Sequence, residues 1–531
     1  MRRRHYEKKL LLFLLTVTLG SAVIHAKPEE SRHIKRIESV KNEAKPLVKK
    51  VLEQYKGDLD KMLDRNTIRV LVVNSKAFYG IDKGKKSGMY NEAIVALEKQ
   101  INKNYPNKNK HIKTKLITIP VTREFLIPAL NAGYADVAIA GNTITKRRQE
   151  QIAFTDPFAS GINEILVTNN ALKGITRFED LAGKEVYIKP SMSYLDSLLQ
   201  VSETLVHKGY DPIVIKALPE DLESEDILEL VNDGLIGITI MDDYKAKMWS
   251  VVYKKLHLHT DITFRENSEL ALMLRKDNPL LLAELNSFVK TNYVGNSFAG
   301  VATKEYLESK RYQKISKSGI SKKKYQALIK TFKKYAEQYE LDPLMLMAQA
   351  YQESRLREKA ESHVGARGIM QLMPATAREM NVGSIHNTDS NIHAGVKYSK
   401  LLKDHYFKDE NIAKADRTLF VFAGYNAGPN RINKFRRLAK KRGLNPNKWF
   451  GNVEVIAAEK IGRETVQYIQ NIYNYYVAYT MMNIQREAKL RAKIALFNDI
   501  KDKKRSDLSA KEKEIREELA LLFNTKVDVK N

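Results

Sequence analysis

Cysteine is absent from all 531 residues. That excludes disulfides, thiolate metal ligands, a cysteine nucleophile and a lipid-bearing cysteine behind a leader. Long apolar runs are scarce as well. The segment Leu10–Ile24 is the one candidate, and its 15 residues are interrupted by Thr16, Thr18, Gly20 and Ser21. A membrane span needs about 20 apolar residues. Acid is in short supply, with 63 Asp+Glu against 90 Lys+Arg and a net charge of +27. What is present is otherwise ordinary. Apolar residues make up 43% and charged residues 29%, a balance that argues against wholesale disorder. The length suggests two to four domains.

Arg2, Arg3, Arg4, Lys8 and Lys9 precede the apolar run, and Ala26 closes it. This order predicts a secretory signal peptide over residues 1–26, with a retained membrane anchor as the alternative. Either outcome exports the remainder. The expected location is the periplasm, peripheral at the outer membrane and without a lipid anchor. Export argues against a nucleic-acid partner despite the basicity. The charge is unevenly spread. Residues 66–300 carry 29 basic and 28 acidic residues, whereas residues 301–531 carry 45 and 26, a net +19. Such asymmetry suggests two modules with different partners.

After a helical lead-in over residues 27–65, residues 66–300 alternate strand and helix patterns. Strands are expected at Ile68–Val73, Lys115–Ile119, Asp136–Ala140, Glu185–Ile188, Pro212–Ala217 and Ile236–Met241. Helices are expected between them, among them Met89–Asn102, Tyr194–His207 and Ser224–Asn232. The alternation predicts two α/β lobes built on parallel sheets. A Lys/Ser/Gly-rich join at 301–320 reads as a linker. Residues 321–486 read as mostly helical. Residues 487–531 read as a charged tail, either a solvated helix or a disordered arm, with membrane-surface contact as one option for it.

In the helical module, Asp342-Pro343 starts a helix by capping and by proline at the first helical position. The helix is apolar nearly all round and ends on Glu353-Ser354. A carboxylate at a helix C-terminus meets the negative end of the dipole, and apolar neighbours desolvate it. Both effects favour the protonated acid, the species that glycosidic cleavage requires. Taken alone, a glutamate at a helix end reads far more readily as a surface ion pair. Three further motifs accompany it: Gly368-Ile-Met-Gln-Leu-Met-Pro374, Tyr425-Asn426-Ala427-Gly428 and Glu464-Thr465-Val466-Gln467-Tyr468.

In order and spacing these four motifs resemble those of the soluble-lytic-transglycosylase-like family, across about 160 residues. Ile369 and Gly424 depart from the usual spelling without removing a polar group. The resemblance implies a goose-lysozyme-like, mostly α fold. It implies a lyase acting on peptidoglycan glycan strands, cleaving the β-1,4 bond between N-acetylmuramic acid and N-acetylglucosamine to leave 1,6-anhydro ends. Glu353 would be general acid and then base. Ser362 would contact the acetamido group or Glu353. Met370, Gln371 and Met373 would line sugar subsites. Tyr425 would hydrogen-bond near Glu353, Asn426 would fix its loop, and Glu464 would contact sugar or the Tyr425 region. For Met370, Met373 and Tyr468, core packing is an equally open reading. Tyr473, Tyr475, Tyr476 and Tyr479 read mainly as core. No motif calls for a metal or cofactor.

In the α/β module, the stretch from Gly133 through Thr143, Thr145 and Arg148 to Phe154-Thr-Asp-Pro-Phe158 resembles the family 3 solute-binding proteins. The resemblance implies a small amino-acid-like or muropeptide ligand between two lobes. Arg148 would clamp its carboxylate. Thr143 and Ser191 would offer hydroxyls, with Ser193 beside them at a probable helix start. Asp242 would take an amino group, with Asp243 as a competitor. A surface role for Arg148 beside Lys146 and Arg147 is the plain alternative. The order of parts resembles lytic transglycosylases that carry such a domain as a regulator. Two other readings remain at this point. One is a hydrolytic goose-type lysozyme, which usually needs a second carboxylate. The other is a receptor whose helical domain only binds the wall.

Overall fold

The computed structural model describes residue 38 and residues 45–82, 84–292 and 319–501. The leader and most of the expected linker lie outside them. Helix α1 (Pro46–Val51) and a short helix at Leu59–Asp64 lead into strand β1 (Thr67–Val72). A hairpin of β2 (Gly80–Asp82) and β3 (Lys85–Ser87) follows, then α2 (Met89–Asn104), β4 (Lys115–Pro120), β5 (Val137–Thr143), β6 (Ala153–Phe154) and β7 (Ala159–Asn169). The second lobe adds β8 (Glu185–Ile188), α3 (Tyr194–His207), β9 (Val214–Ala217), α4 (Ser224–Asn232) and β10 (Ile238–Asp242). Strand β11 (Leu256–Leu274) returns to the first lobe, which ends on α5 (Pro279–Asn292).

The strands run in the order β4-β1-β5-β11-β7-β10-β8-β9. Pairs β1/β4, β1/β5, β8/β10 and β8/β9 are parallel, as the alternation predicts. The sequence pattern does not reveal the two strands that join the lobes. β7 and β11 pair antiparallel with each other, and each also pairs antiparallel with its own lobe's sheet. The sheet is therefore mixed. A chain that crosses between lobes and comes back must run in opposite directions through the join. The β7/β11 register slips at four places between His259 and Leu270, and such irregularities bend a strand pair between its two sheets.

The helical module comprises α6 (Gly319–Gln338), α7 (Pro343–Ser354), α8 (Pro374–Met380), α9 (Thr388–Leu401), α10 (Lys414–Ala427), α11 (Pro429–Lys441), α12 (Glu454–Ile461) and α13 (Arg463–Lys501). Helix α7 begins as its sequence dictates, with the Asp342 carboxylate accepting from Leu344 N at 2.9 Å and Pro343 in the first turn. It stops at Arg355 and Leu356, both left-handed, at φ 56° and 58°.

Helix α13 corrects the expected boundary at residue 487. Its 39 residues run unbroken for about 58 Å at a helical rise of 1.5 Å per residue. Tyr473, Tyr476 and Tyr479 turn inward, as their spacing suggests. Further along, Asn474 donates to Leu116 O on β4 at 3.1 Å and accepts from Lys86 of the hairpin. Beyond residue 487, Lys489 and Lys493 reach Asp226 of α4 at 2.7 and 2.8 Å, and Phe497 is buried. Residues 487–501 are thus packed on the α/β domain, because two of their cations meet a buried acid. They are not a solvated arm. At the other end of the chain, Lys50 of α1 pairs with Asp416 of α10, and Tyr473 donates to Leu47 O at 3.2 Å. One apolar core runs from the first lobe through α1 into the helical module.

Candidate active site

Glu353 sits in the last turn of α7, where α13 crosses it. Tyr468 of α13 donates its phenolic hydrogen to Glu353 Oε1 at 2.5 Å. Burial pushes the Glu353 carboxyl up from 4.5 to about 7, against the opposing pull of the Tyr468 hydrogen bond. No other carboxylate contributes to that shift. The nearby acids in sequence are engaged elsewhere: Glu358 with Lys324 at 2.9 Å and Glu361 with Arg367 at 3.2 Å. The site therefore holds one carboxyl that is an acid at neutral pH.

The glycine motif folds back over the end of α7. Ser354 Oγ donates to Ile369 O at 2.8 Å, which ties the helix end to the loop. Asn391 of α9 holds the loop from beneath, accepting from Met370 N at 2.9 Å and donating to Arg367 O at 3.0 Å. Gly368 has φ 79°, and a Cβ there would lie 2.2 Å from Asn391 Nδ2, so only glycine fits. Tyr425 of α10 donates to Met370 O at 2.9 Å. At the base of α13, Thr465 donates to Asn426 Oδ1 at 2.7 Å, locking the second motif to the third. Met373 stands at the rim with 43% of its surface exposed.

A second concavity of about 440 Å³ lies between the α/β lobes, lined among others by Arg123, Asn142, Arg148, Ser191, Ser193 and Glu220. The lobes are drawn together across it. Arg148 donates to Thr143 O at 2.8 Å on one side and to Ser191 O at 3.0 Å on the other. Arg123 and Glu223 form a buried ion pair at 3.1 Å. Glu225 of α4 accepts from Ser75 Oγ at 3.1 Å and Lys76 N at 2.8 Å in the first lobe.

The transglycosylase SLT domain family matches residues 330–447, and the bacterial extracellular solute-binding proteins, family 3, match residues 69–307. Proteins named membrane-bound lytic murein transglycosylase F align across both regions. That of Pseudomonas fluorescens is 25% identical over 447 residues, covering 79% of this chain and 85% of its own length. That of Desulfosudis oleivorans is 28% identical over 372 residues, covering 66% and 78%. The chain carries a transglycosylase SLT domain behind a family 3 solute-binding domain. Among solved structures, an ancestral arginine-binding protein bound to arginine aligns at 21% identity and TM-score 0.36, over 45% of this chain and 97% of that one. Holo ArgBP from T. maritima aligns at 22% identity and TM-score 0.35, over 44% and 93%.

In the helical module, the expected site residues divide. Glu353 lies near enough to Tyr425 for its charge to act on that phenol, while Asn426 and Gln371 are tied into the neighbouring loops by hydrogen bonds and Met373 is exposed. Glu464 is exposed in the first turn of α13. One expectation, that for Met370, needs correction. Met370 does not offer its side chain to sugar: it is fully buried against Gly395, and its backbone serves Asn391 and Tyr425 instead. Ser362 accepts from Ala366 N at 2.9 Å, closing its own turn. The phenol on Glu353 is that of Tyr468, while Tyr425 is committed to a loop carbonyl. Gln371, at φ 47°, uses its amide to staple Gly368 O at 2.9 Å and Ala360 O at 3.1 Å. The sequence does hold a signal for Tyr468, since Thr465 and Tyr468 lie three apart on one helical face and Thr465 reaches Asn426.

The binding-domain candidates divide too. Thr143, Arg148 and Ser191 meet at the interlobe cleft. The hydroxyl and amide of Ser191 are held by Glu220, the amide at 2.8 Å. Asp242 is 2% exposed and paired with Lys245 at 2.7 Å behind the cleft wall. Lys245 pairs with Oδ2, and Oδ1 is buried with no hydrogen-bond partner. No helix among the described residues is long and apolar enough to cross a membrane.

Proposed function

We propose that the protein cleaves the β-1,4 bond between N-acetylmuramic acid and N-acetylglucosamine in peptidoglycan and closes a 1,6-anhydro ring on the muramoyl side. The observation that carries this reading is a single, partly buried carboxyl, raised to about 7, with no second carboxylate acting on it. Protonated Glu353 gives its proton to the glycosidic oxygen as the C1–O4 bond breaks. The resulting carboxylate then takes the proton of the muramoyl C6 hydroxyl as that oxygen bonds to C1. One residue serves both steps, and no water is consumed. A hydrolytic route calls for a second carboxylate to activate water. Digestion of purified sacculi followed by mass spectrometry tests the reading: the expected products are lighter by one water than their reducing-end counterparts. Reducing ends alone would overturn it.

We infer further that the interlobe cleft takes a small carboxylate-bearing ligand, an amino acid or a soluble muropeptide, and that its occupancy alters turnover. Arg148, in contact with both lobes, supports this, as does the reach of α13 from Tyr468 to both lobes. A panel of L-amino acids and soluble muropeptides should include a member that raises the melting temperature and changes the rate of sacculus digestion. A saturating binder that leaves the rate unchanged would break the link between the two domains.

A further inference from the structure

One group beside the acid is unused by the mechanism above. Gln349 lies one helical turn before Glu353 on α7, on the same face, and is wholly buried. Its Nε2 donates to the Tyr468 oxygen at 3.4 Å, and its Oε1 is buried with no partner. An unpaired buried carbonyl oxygen costs about 1–3 kcal/mol. A leucine or methionine would fill this turn of an apolar helix without that cost. Packing alone does not account for the glutamine.

We propose that Gln349 is a positioning residue that fixes Tyr468 as a hydrogen-bond donor to Glu353, and so keeps the Glu353 proton on the carboxyl oxygen not held by Tyr468. The inference rests on Glu353 acting as the general acid. The reasoning is one of proton direction. The 2.5 Å separation of Tyr468 Oη and Glu353 Oε1 requires a proton between them. Were that proton the carboxyl's own, the phenol would turn its hydrogen toward Gln349 Nε2, donor against donor. With Nε2 facing the phenol, the amide disfavours this arrangement. Tyr468 therefore donates, Oε1 accepts, and an acidic proton resides on Oε2, free to meet the substrate. A phenol that also receives a hydrogen bond is a stronger donor in turn. The titratable groups that face Glu353 from the packed helices are Tyr468 of α13 and Tyr425 of α10, both held far above their ordinary values by burial and then by the Glu353 charge. Neither ionises near neutral pH, so the titration observed there belongs to Glu353.

The test uses the full-length enzyme with Gln349→Leu and Gln349→Met. Without the amide, Tyr468 donates less strongly to the carboxylate and is free to accept from the protonated acid. Both effects favour protonation. The alkaline limb of the turnover–pH profile should move up by roughly 0.5–1 unit, the equivalent of one hydrogen bond. The plateau rate should fall several-fold as the proton is misdirected, and the melting temperature should hold or rise. The infrared carboxyl band of Glu353, assigned by its loss in Glu353→Gln, should shift its titration by the same amount. If the band shifts while all variants and the parent enzyme lack turnover, the catalytic reading fails and the positioning role stands. If band and limb stay put in both variants, the proposal is overturned. Should a substitution weaken folding, the Tyr468→Phe background decides: Gln349→Met must there leave the limb unmoved, and an additive shift would refute the relay.

Discussion

Glu353→Gln is expected to lower turnover of sacculi by at least the roughly 10²–10⁴-fold that general acid–base catalysis supplies, while binding is retained. Glutamine keeps the shape of the side chain and still accepts from Tyr468, but it has no proton to give and cannot take one back. The same substitution should stabilise the fold in a pH-dependent way. The carboxyl is raised from 4.5 to about 7 on folding, so the folded state resists ionisation that the unfolded chain accepts. That penalty is absent below pH 4.5, grows between the two values and is complete above about 7, where it amounts to at most about 3–4 kcal/mol. The melting temperature of the variant should therefore equal that of the parent in acid and exceed it in mild base. Undiminished digestion by Glu353→Gln would remove the enzyme assignment altogether.

The second large effect is on stability. Replacing Lys489 and Lys493 together by methionine should destabilise the α/β domain by about 3–5 kcal/mol, the range for stranding a buried charge. Asp226 is 3% exposed and its two cations sit at 2.7 and 2.8 Å. Methionine preserves the apolar stems, so charge is what is lost. The chain has two tryptophans, and Trp249 in the α/β domain and Trp449 in the helical domain are both buried. Denaturant unfolding followed through Trp249 in a Trp449→Phe background isolates the relevant domain. A third change, Asp226→Asn, should recover most of the loss, since no charge is then stranded. An unmoved midpoint in the double variant would show that these lysines are held in place by the rest of α13.

Much of the site is legible in the residues because its signals are local. Asp342-Pro343 starts a helix whose apolar composition and end position leave Glu353 partly buried, with its carboxyl raised. The glycines around Gly368 mark a backbone that must pass close to another group, and Asn391 is that group. The rest depends on which distant helix arrives. Tyr425 and Tyr468 are both phenols in recognised motifs, and no local rule says which one faces Glu353. Met370 belongs to a loop whose backbone is functional and whose side chain is core, a division invisible to a motif. Asp242 is neutralised by Lys245, a neighbour three residues away whose direction depends on burial. β7 and β11 escape notice because hinge strands serve two sheets and follow neither one's alternation. The acids and bases after residue 487 look solvated until Asp226 is seen opposite them.

Helix α13 bears on the order in which the protein can be completed. Synthesis proceeds from the N-terminus, yet Asn474 binds Leu116 across 358 positions of chain, and Met481 and Ile484 share one apolar core with Leu52, Leu71 and Ile119. Until those residues arrive, an apolar face of the α/β domain stays open, the anchor of α4 is missing and Glu353 lacks Tyr468. Contacts at such separation form late. A chain that stops before Tyr468 would leave Glu353 without its donor, and one that stops before Lys489 would leave Asp226 without its cations. The last described helix thus makes both the acid and the α4 anchor depend on residues that are synthesised late.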